Sequence, residues 1–98
     1  GDITPKLIRE VVAKSWLVSE DALRSKRRTK DLTVPRQVAM YLIKDILGCT
    51  LVQIGKMFGD RDHSTVIHSI RKIEETIERD PSLREKIASV RESFGQID

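Results

Sequence analysis

Aromatic side chains are scarce in this sequence, with only Trp16, Tyr41, Phe58 and Phe94 in 98 residues. A β-sandwich or barrel fills its sheets with aromatic and β-branched residues, so the shortage argues against both. Cysteine is rarer still. The single Cys49 cannot close an internal disulfide, which makes a reducing cytoplasm the natural setting. No apolar run approaches the roughly 18 residues of a spanning helix, and no basic start followed by an apolar stretch reads as a signal peptide, so no membrane partner is expected. What remains is one domain's length of chain, residues 1–98, with 34% charged and 39% hydrophobic residues. That balance suits a small, charge-rich, all-α domain.

The net charge of +3 hides a strong segregation. Residues 1–23 sum to −1, residues 24–37 to +5, residues 38–55 to zero, residues 56–72 to +2 and residues 73–98 to −3. A cationic stretch of this density fits a polyanion, because each Lys or Arg set against a phosphate releases a condensed counterion. Charge alone leaves open the plainer reading, a solvated loop from Arg24 to Lys30.

Starts, stops and a period near 3.6 predict six helices and no strand. Thr4 and Pro5 start the first, with Leu7, Ile8, Val11, Val12 and Trp16 on one face. Ser19 caps a short second helix that carries Glu20 and Asp21 in its first turn, where the helix dipole favours acids. A basic loop follows, at about 24–33. Thr33 then opens a third helix, with Pro35 in its first turn, a stripe of Val38, Leu42, Ile43, Ile46 and Leu47, and Gly48 as its stop. Thr50 and Gln53 form a capping box for a fourth helix, which turns Leu51, Ile54, Met57 and Phe58 inward until Gly59. A polar turn leads to a fifth, with Val66, Ile70, Ile73 and Ile77 on its apolar face. Asp80 and Pro81 start the sixth, carrying Leu83, Ile87, Val90 and Phe94 up to Gly95.

The informative stretch is about 50–79, two helices joined by a Gly-containing turn. The second of them opens on exposed short polar residues, the layout of a helix-turn-helix. Such a helix enters the major groove end-on, so its first side chains meet base edges while its amides face phosphate. Ser64 and Thr65 suit that position, since a hydroxyl donates or accepts and a Thr methyl touches a thymine methyl. The same residues also serve as ordinary polar filling of a first turn, and Asp62 is an ideal N-cap whether or not it reads a base. His63 and His68, five apart, lie on different faces of a helix, and no further ligand supports a metal pair.

The run from Ile54 to Ile73, with Arg61-Asp62-His63-Ser64-Thr65-Val66 at its centre, closely resembles the signature of the bacterial chromosomal replication initiators of the DnaA family. Pro35-Arg36-Gln37-Val38-Ala39-Met40-Tyr41-Leu42 and the loop Ser25-Lys26-Arg27-Arg28 resemble matching parts of that family, and the likeness extends from about Ile3 to Phe94. It implies a compact six-helix, Trp-repressor-like domain at the C-terminus of the initiator, associated with the nucleoid. Such a domain reads short asymmetric boxes of the TTATNCACA type in double-stranded DNA, one monomer per box. Arg28 is then the residue that enters the narrow, A·T-rich minor groove. Lys26 and Lys30 flank it on phosphates. Arg36, Gln37, Lys44 and Lys72 contact backbone, Asp62, His63 and Ser64 face bases, and Thr65 meets a phosphate. The resemblance implies ATP binding only for a region upstream of this one, so no cofactor is expected here.

Readings from other classes have less support. No G-x-x-x-x-G-K-[ST] loop is present, no Ser, His and acid set stands out, and Cys49 has no evident activating partner, so neither an enzyme nor a small-molecule substrate is indicated. A dimeric transcription regulator would need a spare apolar face, which the apolar stripes do not leave. A protein-docking module could use Glu74, Glu75, Glu78 and Asp80.

Overall fold

The computed structural model describes residues 2–95; the outermost domain positions expected from length, Gly1 and Gln96 to Asp98, lie outside them. Six helices form, and no strand is present among the described residues. They are α1 (Pro5–Ser15), α2 (Glu20–Arg24), α3 (Lys30–Leu42), α4 (Leu51–Met57), α5 (His63–Arg79) and α6 (Pro81–Glu92). Five of their starts are written locally. The side chains of Thr4, Ser19, Thr50, Asp62 and Asp80 each accept a hydrogen bond from the backbone N–H three residues on. At Thr50 the amide of Gln53 is bonded in return, as the side-chain oxygen of Gln53 accepts from the Thr50 N–H at 2.8 Å.

The start of α3 differs from the sequence expectation. The helix opens at Lys30 rather than Thr33, with Thr29 at the cap position and no side-chain bond there. Pro35 is therefore its sixth residue, well past the first turn. Leu32, 1% exposed, is the physical reason: carrying the helix back three residues buries it in the core with Val38, Ala39 and Leu42. The N–H that Pro35 lacks would have bonded the carbonyl of Asp31, an exposed residue, so the loss falls where solvent can compensate. The basic loop shrinks from about 24–33 to residues 25–29, and Arg36 and Gln37 move from a first turn to the middle of a helix. At its other end α3 runs on as a π-helical turn, Ile43–Leu47, before Gly48 stops it at φ 67°. The spacing of Leu42, Ile43, Ile46 and Leu47 puts them on one side in either kind of turn, so nothing in it marks the wider one.

Helix α3 is the centre of the molecule, packed against α1, α2 and α5, while α6 closes the far side against α5 and α1. One cluster of buried side chains joins them, including Ile8 and Val12 of α1, Leu23 of α2, Ile54 and Phe58 around α4, Val66, Ile70 and Ile73 of α5, and Ile87 and Val90 of α6. Ion pairs brace the periphery in two places. Glu20 of α2 accepts from Arg9 of α1 at 2.8 Å and from Arg24 at 2.7 Å. Arg91 of α6 reaches Asp45 of the π-helical turn at 2.7 Å.

Candidate nucleic-acid interface

The joint between α4 and α5 is a tight helix-turn-helix whose closeness depends on glycine. The Arg61 N–H donates to the Gly55 carbonyl at 3.0 Å. A Cβ at position 55 would stand 2.0 Å from the Arg61 carbonyl oxygen, so no other residue fits. The turn then passes through Gly59 at φ 75° and Asp60 at φ 56°, left-handed positions that Gly and Asp tolerate best. Asp62 ends the turn as the cap of α5, its carboxylate accepting from the Thr65 N–H at 2.9 Å. That backbone bond, opposed by desolvation, holds the Asp62 carboxyl below the ordinary aspartate range.

Three sides of α5 are sorted by this placement. Val66, Ile70 and Ile73 enter the core, and His63, Ser64 and Thr65 stand exposed in the first turn. Thr65, Ser69 and Lys72 follow at spacings of four and three, so they share a face. Lys72 is exposed at its far end.

A groove of about 550 Å³ runs between α5, α3 and the basic loop. It gathers six of the residues singled out from sequence: Lys26 and Arg28 of the loop, Arg36 and Gln37 of α3, and Asp62 and Thr65 of the helix-turn-helix. Four cations, Lys26, Arg28, Arg36 and Arg61, line it against two carboxylates, Asp60 and Asp62, so its field is positive. Lys26 and Arg28 are exposed, and neither makes an ion pair among the described residues. Lys30, first residue of α3, is exposed beside the loop. His63 and Ser64 stand outside the groove lining on the open end of α5. Lys44 lies apart, on the π-helical turn, where its Nζ donates to the Cys49 carbonyl at 3.2 Å next to the start of α4.

The resemblance implies an Arg36 that contacts the DNA backbone; here the residue lines the groove but is only 6% exposed. Its Nε donates to the Leu23 carbonyl at 2.9 Å, Nη1 to that of Arg27 at 2.7 Å, and Nη2 to those of Ala22 at 2.7 Å and Ser25 at 3.2 Å. Four of its five N–H donors are thereby engaged within the protein. Burial and the neighbouring charge of Arg61 push its pKa down to about 10, so it remains a cation at neutral pH.

Arg61 is the functional-site residue that sequence reasoning passes over. It reads as one more charge in a polar turn, but its guanidinium crosses from the helix-turn-helix to the loop. Nη1 donates to the Ser25 carbonyl at 3.0 Å and to that of Phe58, and Nη2 makes a long contact of 3.5 Å with the Arg27 carbonyl. Burial, then the charge of Arg28, lowers its pKa as well. No local pattern announces this role, because two of its three partners are backbone atoms more than thirty residues away.

Comparison with known proteins agrees with this geometry. The family model described as bacterial dnaA protein helix-turn-helix matches residues 5–73. A chromosomal replication initiator protein DnaA from Treponema denticola is 40% identical over 93 residues, which is 95% of this chain and 20% of that protein. The protein of the same name from Mycoplasma capricolum is 44% identical over 87 residues, covering 89% of this chain and 19% of its own. Among solved structures, the crystal structure of a DNA replication initiation factor superposes with a TM-score of 0.79 at 30% identity, over 91% of this chain and 27% of that one. This chain thus spans about a fifth of the length of its curated relatives, the helix-turn-helix part and not the ATPase region. With its two-helix joint, its polar leading turn and a family match over residues 5–73, the chain belongs to the bacterial DnaA helix-turn-helix family.

Proposed function

We propose that this chain is a single DNA-binding domain that recognises short asymmetric boxes of the TTATNCACA type in double-stranded DNA during initiation of chromosomal replication. It binds as one monomer per box, within the cytoplasm at the nucleoid. The observation that carries this reading is the convergence of two chemistries on one positive groove. The capped leading turn of α5 and the unpaired cations Lys26 and Arg28 meet there, although about 35 residues of chain separate them.

Each part has a task that its chemistry suits. The first turn of α5 enters the major groove, where Asp62, His63 and Ser64 face base edges and the Thr65 hydroxyl meets a phosphate. Arg28 enters the neighbouring minor groove, whose narrow A·T-rich form concentrates negative potential. Lys26, Lys30, Gln37, Lys44 and Lys72 hold the sugar-phosphate backbone, fixing orientation without reading sequence. Arg36 leaves the set of direct contacts, since its donors serve the loop. No cofactor takes part; ATP binding belongs to the upstream region of the longer relatives.

A competition gel shift at fixed salt tests the proposal, with a TTATNCACA duplex against a scrambled duplex of equal length. The box should win by about 10³ or more, as specific sites do. A preference below about tenfold would remove sequence recognition from the account.

A further inference from the structure

The basic loop would be expected to be loose, being short, cationic and without secondary structure. Instead, the carbonyls of residues 22, 23, 25 and 27 are all hydrogen-bonded by two arginines from outside the loop. Arg36 comes from α3 and Arg61 from the helix-turn-helix, and both reach the carbonyls of Ser25 and Arg27. The residues that follow these two carbonyls, Lys26 and Arg28, are the ones that line the groove. We propose that Arg36 and Arg61 are positioning residues, a paired clamp that holds the basic loop by its backbone and sets where Arg28 stands relative to the leading turn of α5.

Three features support the clamp beyond the hydrogen bonds. Two like charges reach the same two carbonyls, and the charge of Arg61 adds to burial in lowering the pKa of Arg36, an arrangement that a purely stabilising design would avoid. Guanidinium is the group that can bridge several carbonyls at once through a planar fork, where a lysine offers a single point. The joint is also sterically close, since a Cβ on Gly59 would lie 3.0 Å from the carbonyl oxygens of both Arg24 and Ser25. Loop and turn therefore move as one body, and the spacing between a minor-groove contact and a major-groove contact becomes a property of the protein. This rests on the DNA-binding reading above, but the holding of the loop can be measured without DNA.

The substitution of choice is Arg61→Lys, which keeps the charge and removes the bridge; Arg36→Lys is the second. In the free protein, hydrogen exchange of the amides of residues 26–30 should quicken about tenfold or more, with those of α1 and α6 unchanged. On DNA, discrimination at the A·T-rich half of the box should fall about tenfold while the other half and the salt slope hold. In an Arg28→Ala background the same substitution should change that discrimination less than about twofold, because the residue it positions is gone. Loop exchange equal to the parent in the folded variants overturns the clamp. So do losses spread evenly over both halves, additivity with Arg28→Ala, or a salt slope lower by about one, which would mark a direct phosphate contact. If the parent itself shows no preference for the box, the DNA-binding reading fails, and loop exchange still decides whether the arginines hold the loop.

Discussion

Asp62 is a cap by its bond from the Thr65 N–H and, on the proposed function, a base reader as well. As a cap it needs only an oxygen acceptor, and Asn supplies one nearly as well. As a base reader it accepts from a cytosine amino group, and there the full charge matters. Asp62→Asn is therefore expected to melt near the parent at neutral pH and to discriminate less well at one C·G pair, whereas Asp62→Ala melts lower. Thermal melts and single-base-pair binding profiles of both variants check this, and an Asn variant equal to the parent in both assays leaves Asp62 a cap alone. The pH dependence follows from the same bond. Because the folded carboxyl titrates below its ordinary value, its contribution to stability is present above that value and is lost as pH falls through the lower, folded one. The Asn variant should lack this part of the acid transition. Arg28→Ala and Ser64→Ala should divide the box between them, the first losing discrimination in the A·T-rich half and the second in the other half. Matching profiles from the two would contradict the assignment to different grooves.

At the scale of elements, the helix-turn-helix stands or falls on Gly55. Gly55→Ala forces a methyl onto the Arg61 carbonyl oxygen, and the joint must open. A cost of about 2 kcal/mol or more is expected from overpacking of this kind, with Tm lower by on the order of 10 °C. A melt within about 2 °C of the parent would mean that the joint yields without cost. The face of α5 carrying Thr65, Ser69 and Lys72 offers a different check. Lys72→Ala, like Lys26→Ala in the loop, should weaken specific and random DNA alike and flatten the plot of log affinity against log salt by about one. Five helix starts were legible because a cap is a local bond between neighbours, as at Thr4, Ser19, Thr50, Asp62 and Asp80. The start of α3 was not, because burial of Leu32 against other helices overrides the usual first-turn place of Pro35. Arg36 and Arg61 escaped for a related reason: residue type announces a cation, but whether it faces phosphate or carbonyl oxygen depends on chain folded around it from far away. The polar leading turn of α5 and the loop cations could be picked out because exposure and charge show directly in the pattern.

At the scale of the molecule, the apolar stripes of all six helices close on one core, and among the described residues the large hydrophobics left exposed, Leu17, Val34 and Val52, lie on three separate segments. A dimer would lack a continuous apolar face. Sedimentation should accordingly give a monomer, alone and with one chain on a single-box duplex; two chains per box would contradict it. The contact between Ser25 and Arg61 spans 36 positions of chain. During synthesis Arg36 follows the basic loop closely, but Arg61 comes much later, so the loop has only one of its two arginines until the turn between α4 and α5 exists. The loop's final shape is thus among the last parts of the fold to form, and an unfinished chain cannot yet present Arg28 and α5 at a fixed spacing. Competence for the full site then arrives together with completion of the fold.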